Sequence, residues 1–246
     1  SVESGAQYNV AIGHAAGTAL TTGDQNVAVG AFALDAQTTA SSNTALGYAA
    51  MSTNTDGTYN VGVGLLALGL NTTGDSNTAV GYASLDANTT ADNNTAVGYE
   101  SLSANTTGAQ NVAVGRTALR ANTTASSNTA IGDSALNVST TGSDNTAVGK
   151  NSLLSNTTGG SNVAIGYAAL DAAVDGVSNT IAVGYNALGA NTASGSGTTP
   201  NVAVGHQSQA STTTGTANTS VGSWTLDANT TGADNVAIGM SALTSN

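Results

Sequence analysis

The chain has 246 residues with Lys+Arg 3 against Asp+Glu 14, a formal net charge of −11, and no cysteine. Three basic side chains cannot neutralise a phosphate backbone or an anionic membrane surface, so nucleic acid is excluded as a partner. No apolar run reaches the roughly 18–20 residues of a membrane helix, so no membrane insertion by this segment is expected, and disulfide or thiolate chemistry has no residues to use.

The first element is a pentad, N-[TV]-A-[VIL]-G, opening at Asn9. It recurs at Asn26, Asn43, Asn60, Asn77, Asn94, Asn111, Asn128, Asn145, Asn162 and Asn179, every step being 17 residues. After a step of 22 it resumes at Asn201, Asn218 and Asn235. One extra residue is placed near Ile181 and four more in the stretch 189–200. Such a fixed period marks stacked repeats. The expected fold class is all-β: a parallel β-solenoid with one coil per 17-residue repeat and fourteen coils. Residues 1–246 form a single repeat solenoid with an insertion at 189–200, which should bulge without changing the coil count. Because the chain starts and stops inside a repeat, a fragment of something longer is expected.

With each unit counted from its Asn as position zero, position 1 is Val or Thr and position 3 is always aliphatic. These two share one face of a short strand, assigned to the core. Position 4 is Gly in every copy, as a corner with positive φ requires. Position 8 is Leu in eleven copies, with Gly17, Met51 and Gln209 as exceptions. Positions 8 and 10 are assigned to one face of a second strand. Positions 11 to 14, mostly N-T-T-G, form a polar turn. The expected core ladder is then Asn77, Val80, Gly81, Leu85, Asn94, Val97, Gly98 and Leu102, with the Asn amides bonding to one another from coil to coil.

Position 2 is Ala in twelve copies, with Gly62 and Ser220 as exceptions. Strand alternation turns it outwards, and an outward position held small implies a flat neighbour. Ala79, Ala96, Ala113 and Ala130 are therefore expected in a subunit interface. Arg116, Asp133 and Lys150 fall at position 5 of consecutive units, where stacking sets plus, minus and plus in line, while Asp75 above Asp92 stacks like charges.

The stretches N-V-A-I-G (Asn9 to Gly13, Asn162 to Gly166, Asn235 to Gly239) and N-T-A-V-G (Asn77 to Gly81, Asn94 to Gly98, Asn145 to Gly149) resemble YadA-like head repeats of trimeric autotransporter adhesins. The longer unit is similar to repeats of phage tail fibres and bacterial surface proteins. That resemblance implies a left-handed β-roll, three chains side by side, displayed on a cell surface or a virion.

Chemistry-bearing constellations are scarce. His14 and His206 lie many repeats apart, and the position-9 residues Asp35, Asp86, Asp171 and Asp227 never fall in adjacent units, so neither a triad nor a calcium ladder is expected. No enzymatic activity and no cofactor are expected. The Thr pairs (Thr72/Thr73, Thr89/Thr90, Thr106/Thr107 and their equivalents) stack in register, as in an ice-binding solenoid. Adjacent residues of a strand point to opposite sides, however, and turn capping is the ordinary role for such Thr. Tyr82, Tyr99, Tyr167 and Tyr185 at position 5, with Trp224 at position 6, are candidates for glycan or partner contact. The functional expectation is a structural and adhesive fibre segment, extracellular or virion-borne, that displays a binding surface or spaces a receptor-binding tip. Its partners would be further copies of itself, as a trimer or a head-to-tail filament, and a cell-surface glycan or receptor. A self-assembling matrix filament and an ice-binding solenoid using the Thr ladder are the alternatives.

Overall fold

The computed structural model describes residues 5–173, 176–192 and 200–244. Among these residues every regular element is a β-strand of three residues, one per repeat, and there is no helix. The chain divides into two compact units, Ser1–Thr124 and Ala125–Asn246.

The first unit carries β1 (Val10–Ile12), β2 (Val27–Val29), β3 (Thr44–Leu46), β4 (Val61–Val63), β5 (Thr78–Val80), β6 (Thr95–Val97) and β7 (Val112–Val114). Each pairs in parallel with the next, like position on like position: Thr78↔Thr95, Ala79↔Ala96, Val80↔Val97. The second unit repeats this with β8 (Thr129–Ile131), β9 (Thr146–Val148), β10 (Val163–Ile165), β11 (Ile181–Val183), β12 (Val202–Val204), β13 (Thr219–Val221) and β14 (Val236–Ile238). The fold is thus a parallel β-solenoid with one coil per repeat.

β11 pairs directly with β12 through Ile181↔Val202, so the longer repeat adds no coil. The greater part of the 189–200 insertion, residues 193–199, lies outside the described residues. The extra residue placed near Ile181 sits earlier. Ile181 is in register with Val163, and the backbone N–H of Thr180 donates to Asn162 Oδ1 at 3.0 Å. Thr180, not Asn179, therefore occupies position zero. The additional residue falls between Ala173 and Val177, in the turn, where 174–175 lie outside the described residues.

The strand faces the opposite way from the sequence expectation. Ala28, Ala45, Ala79, Ala96, Ala113, Ala130, Ala147 and Ala164 are fully buried within the single chain, so none of them is available to an interface. The flanking residues of positions 1 and 3 lie outside: Val80 and Val97 are half-exposed, and Ile131, Ile165 and Val221 are exposed. Volume decides the phase. The fully buried Leu85, Leu102, Leu119 and their equivalents reach across the coil and leave room under the strand for a methyl group only.

The five exceptions in these columns fall in three places and follow that limit. A Cβ on Gly62 would lie 2.9 Å from Met51 Cγ. At Gly17, where Leu is missing from position 8, the buried Leu20 fills the gap. Gln209 replaces another Leu, and its Nε2 donates to Val202 O and Ser220 Oγ, both at 2.9 Å; Ser220 is the other exception at position 2.

The second strand is also absent. Positions 5 to 10 form successive turns in which positions 6 and 8 carry positive φ, as in Ala83 (φ 46) and Leu85 (φ 52), or Glu100 (φ 49) and Leu102 (φ 52). A non-glycine residue there costs about 1–2 kcal/mol, which burial of a whole Leu side chain, worth about 1.5–3 kcal/mol, offsets. Hydrogen bonding between coils continues through these turns. Leu85 N–H donates to Ser101 O at 3.0 Å, and Glu100 N–H donates to Tyr82 O at 2.9 Å. At position 4, Gly81 (φ 135) and Gly98 (φ 140) make the corner, and a Cβ on Gly81 would lie 2.3 Å from Gly98 O.

Candidate functional site

Two Asn columns rather than one hold the coils in register. At position zero, Asn60 Oδ1 accepts the backbone N–H of Asn77 at 2.9 Å, while Asn60 Nδ2 donates to Gly74 O at 2.8 Å. The expected amide-to-amide bond is present but longer, 3.2 Å from Asn77 Nδ2 to Asn60 Oδ1. The second column stands at position 11, which the sequence reading left in a polar turn. Asn54, Asn71, Asn88, Asn105 and Asn122 are fully buried. Each donates to the one before it: Asn71 to Asn54 at 2.8 Å, Asn88 to Asn71 at 2.8 Å and Asn105 to Asn88 at 3.0 Å. Both columns converge on the position-14 carbonyl, since Asn71 Nδ2 also reaches Gly74 O at 3.0 Å. The in-register recurrence of N-T-T-G every 17 residues was the signal for this second ladder. Gln37 stands in the same column, and its Oε1 accepts from Asn54 Nδ2 at 3.0 Å.

The Thr pairs divide by position. At position 12 the hydroxyl caps the turn above: Thr72 Oγ1 donates to Thr89 O at 2.9 Å, and Thr89 to Thr106 O at 3.1 Å. Their partners Thr73, Thr90 and Thr107 are exposed. Asp75 and Asp92, stacked like charges, each bond a backbone N–H of the preceding coil: Thr58 N–H to Asp75 Oδ1 at 2.6 Å and Asp75 N–H to Asp92 Oδ1 at 2.7 Å. In the second unit Lys150 Nζ lies 3.8 Å from Asp133 Oδ2.

Positions 5 and 6 form an exposed ridge. Tyr82 and Tyr99 stack with centroids 5.1 Å apart and planes 13° apart. A longer run in the second unit joins Tyr167 to Tyr185 (5.4 Å, 9°), Tyr185 to His206 (5.1 Å, 11°) and His206 to Trp224 (5.2 Å, 68°). His14, Phe32 and Tyr48 make a third run with edge-to-face contacts of 5.3 and 5.8 Å. In the stacked pairs Tyr82–Tyr99, Tyr167–Tyr185 and Tyr185–His206 the rings of adjacent coils cover one another's faces. Tyr167, Tyr185 and Trp224 are 48%, 49% and 41% exposed. Trp224 Nε1 donates to Gln207 Oε1 at 2.8 Å, which fixes the end of the longer run. The Glu100 carboxylate, hydrogen-bonded to Tyr99, pushes that phenol above its ordinary value.

No family model, curated protein or solved structure matches the chain.

The half-buried carboxyls of position 9 are spread along the coils. Burial pushes Asp35, Asp86 and Asp171 above the ordinary value of 3.8. Among the described residues no three His, Asp or Glu side chains come together as a metal site. The two surfaces with chemistry to offer are thus the aromatic ridge and the outward face of the strands.

Proposed function

We propose that this chain is a structural and adhesive segment of an extracellular or virion-borne fibre, in which the coils act as scaffold and the aromatic ridge as the contact surface. The observation that carries this reading is the run Tyr167, Tyr185, His206 and Trp224, four exposed rings packed on consecutive coils. Mutual packing removes most of their rotamer freedom before any partner arrives, so little entropy remains to be lost on contact. Large amphipathic rings with polar tips suit a cell-surface glycan or a receptor protein, and the low positive charge of the chain disfavours phosphate-rich surfaces. Association with further copies, as a trimer or a filament, belongs to the same proposal.

The test is binding of fluorescently labelled protein to intact cells, before and after periodate oxidation of their glycans. Replacing Tyr167, Tyr185 and Trp224 by Ser should abolish binding with little change in melting temperature. Undiminished binding by that triple variant contradicts the assignment of the ridge. Light scattering of the same samples measures the number of chains per particle.

A further inference from the structure

The sequence carries nine Asn-x-Ser/Thr triplets, the acceptor signal for N-linked glycosylation. A transferase needs two groups of the triplet within reach: the Asn amide nitrogen, which takes the sugar, and the hydroxyl two residues on, which the enzyme binds. The coil sorts the nine by what it leaves open. Six are the N-T-T turns of position 11, the first at Asn71 and the last at Asn229. Their amides belong to the buried ladder: Asn88 Nδ2 donates to Asn71 Oδ1 at 2.8 Å and to Ala91 O at 3.0 Å. Asn156 and Asn229 likewise turn Nδ2 inwards, to Gly159 O at 2.9 Å and Gly232 O at 3.0 Å. Only the second Thr of these six, as in Thr90, is exposed.

The seventh triplet, Asn218-Thr219-Ser220, is buried at both ends, and Asn218 Nδ2 donates to Gly232 O at 2.8 Å. The eighth, Asn137-Val138-Ser139, has a half-exposed Asn but a fully buried Ser. The ninth, Asn93-Asn94-Thr95, presents both groups. Asn93 is exposed, and its side chain makes no bond among the described residues. Thr95 opens β6 on the outward face, half-exposed, with its hydroxyl equally unengaged. Between them Asn94 is fully buried and holds the ladder, its Nδ2 donating to Gly108 O at 2.9 Å. The coil is thus anchored through the one residue of the triplet that the signal leaves unspecified.

We infer that Asn93 is an N-glycosylation site of the folded chain and that folding closes the other eight signals. The Asn93 amide nitrogen attacks C1 of a sugar carried on a diphosphate. The C1–O bond breaks, the diphosphate leaves with its electron pair, the N–C1 bond forms and the amide gives up one proton. At Asn88 the same nitrogen is held by two hydrogen bonds in the interior, where a sugar has no room. Asn93 lies two residues before β6 and Tyr99 two residues after it, so the glycan and the aromatic ridge stand at opposite ends of the strand. The inference is independent of the proposed adhesive role.

The test is transfer of glucose from UDP-glucose by a soluble N-glycosyltransferase, read site by site by peptide mass mapping. The acceptors are the folded full-length chain and, as unfolded reference, a peptide of residues 86–97, which contains the Asn88 and Asn93 signals together. The peptide sets the intrinsic rate of each site and should be modified at both. In the folded chain Asn93 should stay within about tenfold of its peptide rate, whereas Asn88, reached only through opening of the coil, should fall about a hundredfold or more. Asn93→Gln should abolish modification of the folded chain with the melting temperature retained, since Gln25 (φ 59) and Gln110 (φ 61) hold the same position with the same backbone. Protection of Asn93 as strong as that of Asn88 overturns the inference, as does a peptide modified at Asn88 and not at Asn93. Modification of Asn88 in the folded chain at the peptide's rate overturns it equally.

Discussion

Gly62 and Met51 complete one another: a Cβ at position 62 would lie 2.9 Å from Met51 Cγ and 3.1 Å from its sulfur. Elsewhere the same two places hold Ala and Leu, as in Ala96 and Leu85. The pair shows that the space beneath the strand is shared between the residue at position 2 and the side chain at position 8 of the preceding repeat. Gly62→Ala should therefore destabilise by about 1–3 kcal/mol through overpacking. Met51→Leu alone should cost under about 1.5 kcal/mol. The double variant restores the pairing used in most coils and should lie well above the additive sum in a denaturant series. Strict additivity would separate the two residues and refute the packing explanation.

A second expectation concerns the position-11 ladder. Asn88 Nδ2 donates to Asn71 Oδ1 and Ala91 O, and Asn88 Oδ1 accepts from Asn105 Nδ2. Asn88→Ala leaves the buried Asn71 oxygen and Asn105 nitrogen each short of a bond. At about 1–3 kcal/mol for each unsatisfied group, the loss should be several times that of Thr90→Ala on the exposed turn. Equal midpoints for the two variants in guanidinium unfolding would show that the ladder contributes nothing.

Burial raises the pKa of Asp86, so the folded chain holds that proton more tightly than the unfolded one. Stability from this group is present below the ordinary value of 3.8 and is lost as pH rises through the higher folded value. Asp86→Asn should accordingly melt above wild type at pH 7, and the difference should shrink as the pH is lowered through that window. Asp35 and Asp171, shifted in the same direction by the same cause, should behave alike. A difference that grows on acidification would mean that the carboxylate is stabilised in the folded state.

At the corner, Gly98 holds φ 140 and a Cβ there would meet Gly115 O at 2.4 Å. Gly98→Ala meets both an unfavourable backbone and a backbone clash, neither of which a side-chain movement relieves. Loss of cooperative unfolding in circular dichroism is expected. A melting temperature within a degree or two of wild type would require a different corner.

The 17-residue period, the corner glycines and the buried Leu of position 8 were legible because each is a column in which one residue type recurs. The phase of the strand was not. Three residues of alternating pattern fit either orientation, and hydropathy favours Val80 and Val97 inside over Ala79 and Ala96. Space, set by Leu85 and Leu102 arriving from another part of the coil, reverses that choice. The second strand failed for a related reason: Leu85 and Leu102 adopt positive φ, which Leu ordinarily avoids, because the surrounding coils hold it there. At Asn179-Thr180 the motif is split, the Asn standing at 179 and the A-V-G counting from 180, and the pairing of Val163 with Ile181 selects Thr180. The aromatic ridge was visible as Tyr82, Tyr99, Tyr167 and Tyr185. The recruitment of His206, and the mutual covering of ring faces, emerged only with the coils in place.

The inward Ala column and the outward strand face set the phase of each coil, and the absence of natural cysteine makes them directly measurable. Thr95→Cys, Ala96→Cys and Val97→Cys, made singly, would be exposed to a maleimide under native conditions and again in denaturant. Rapid native labelling at 95 and 97, with 96 reacting only after unfolding, is the predicted result. Native labelling at 96 with protection at 95 and 97 would place the Ala column outside and contradict the account.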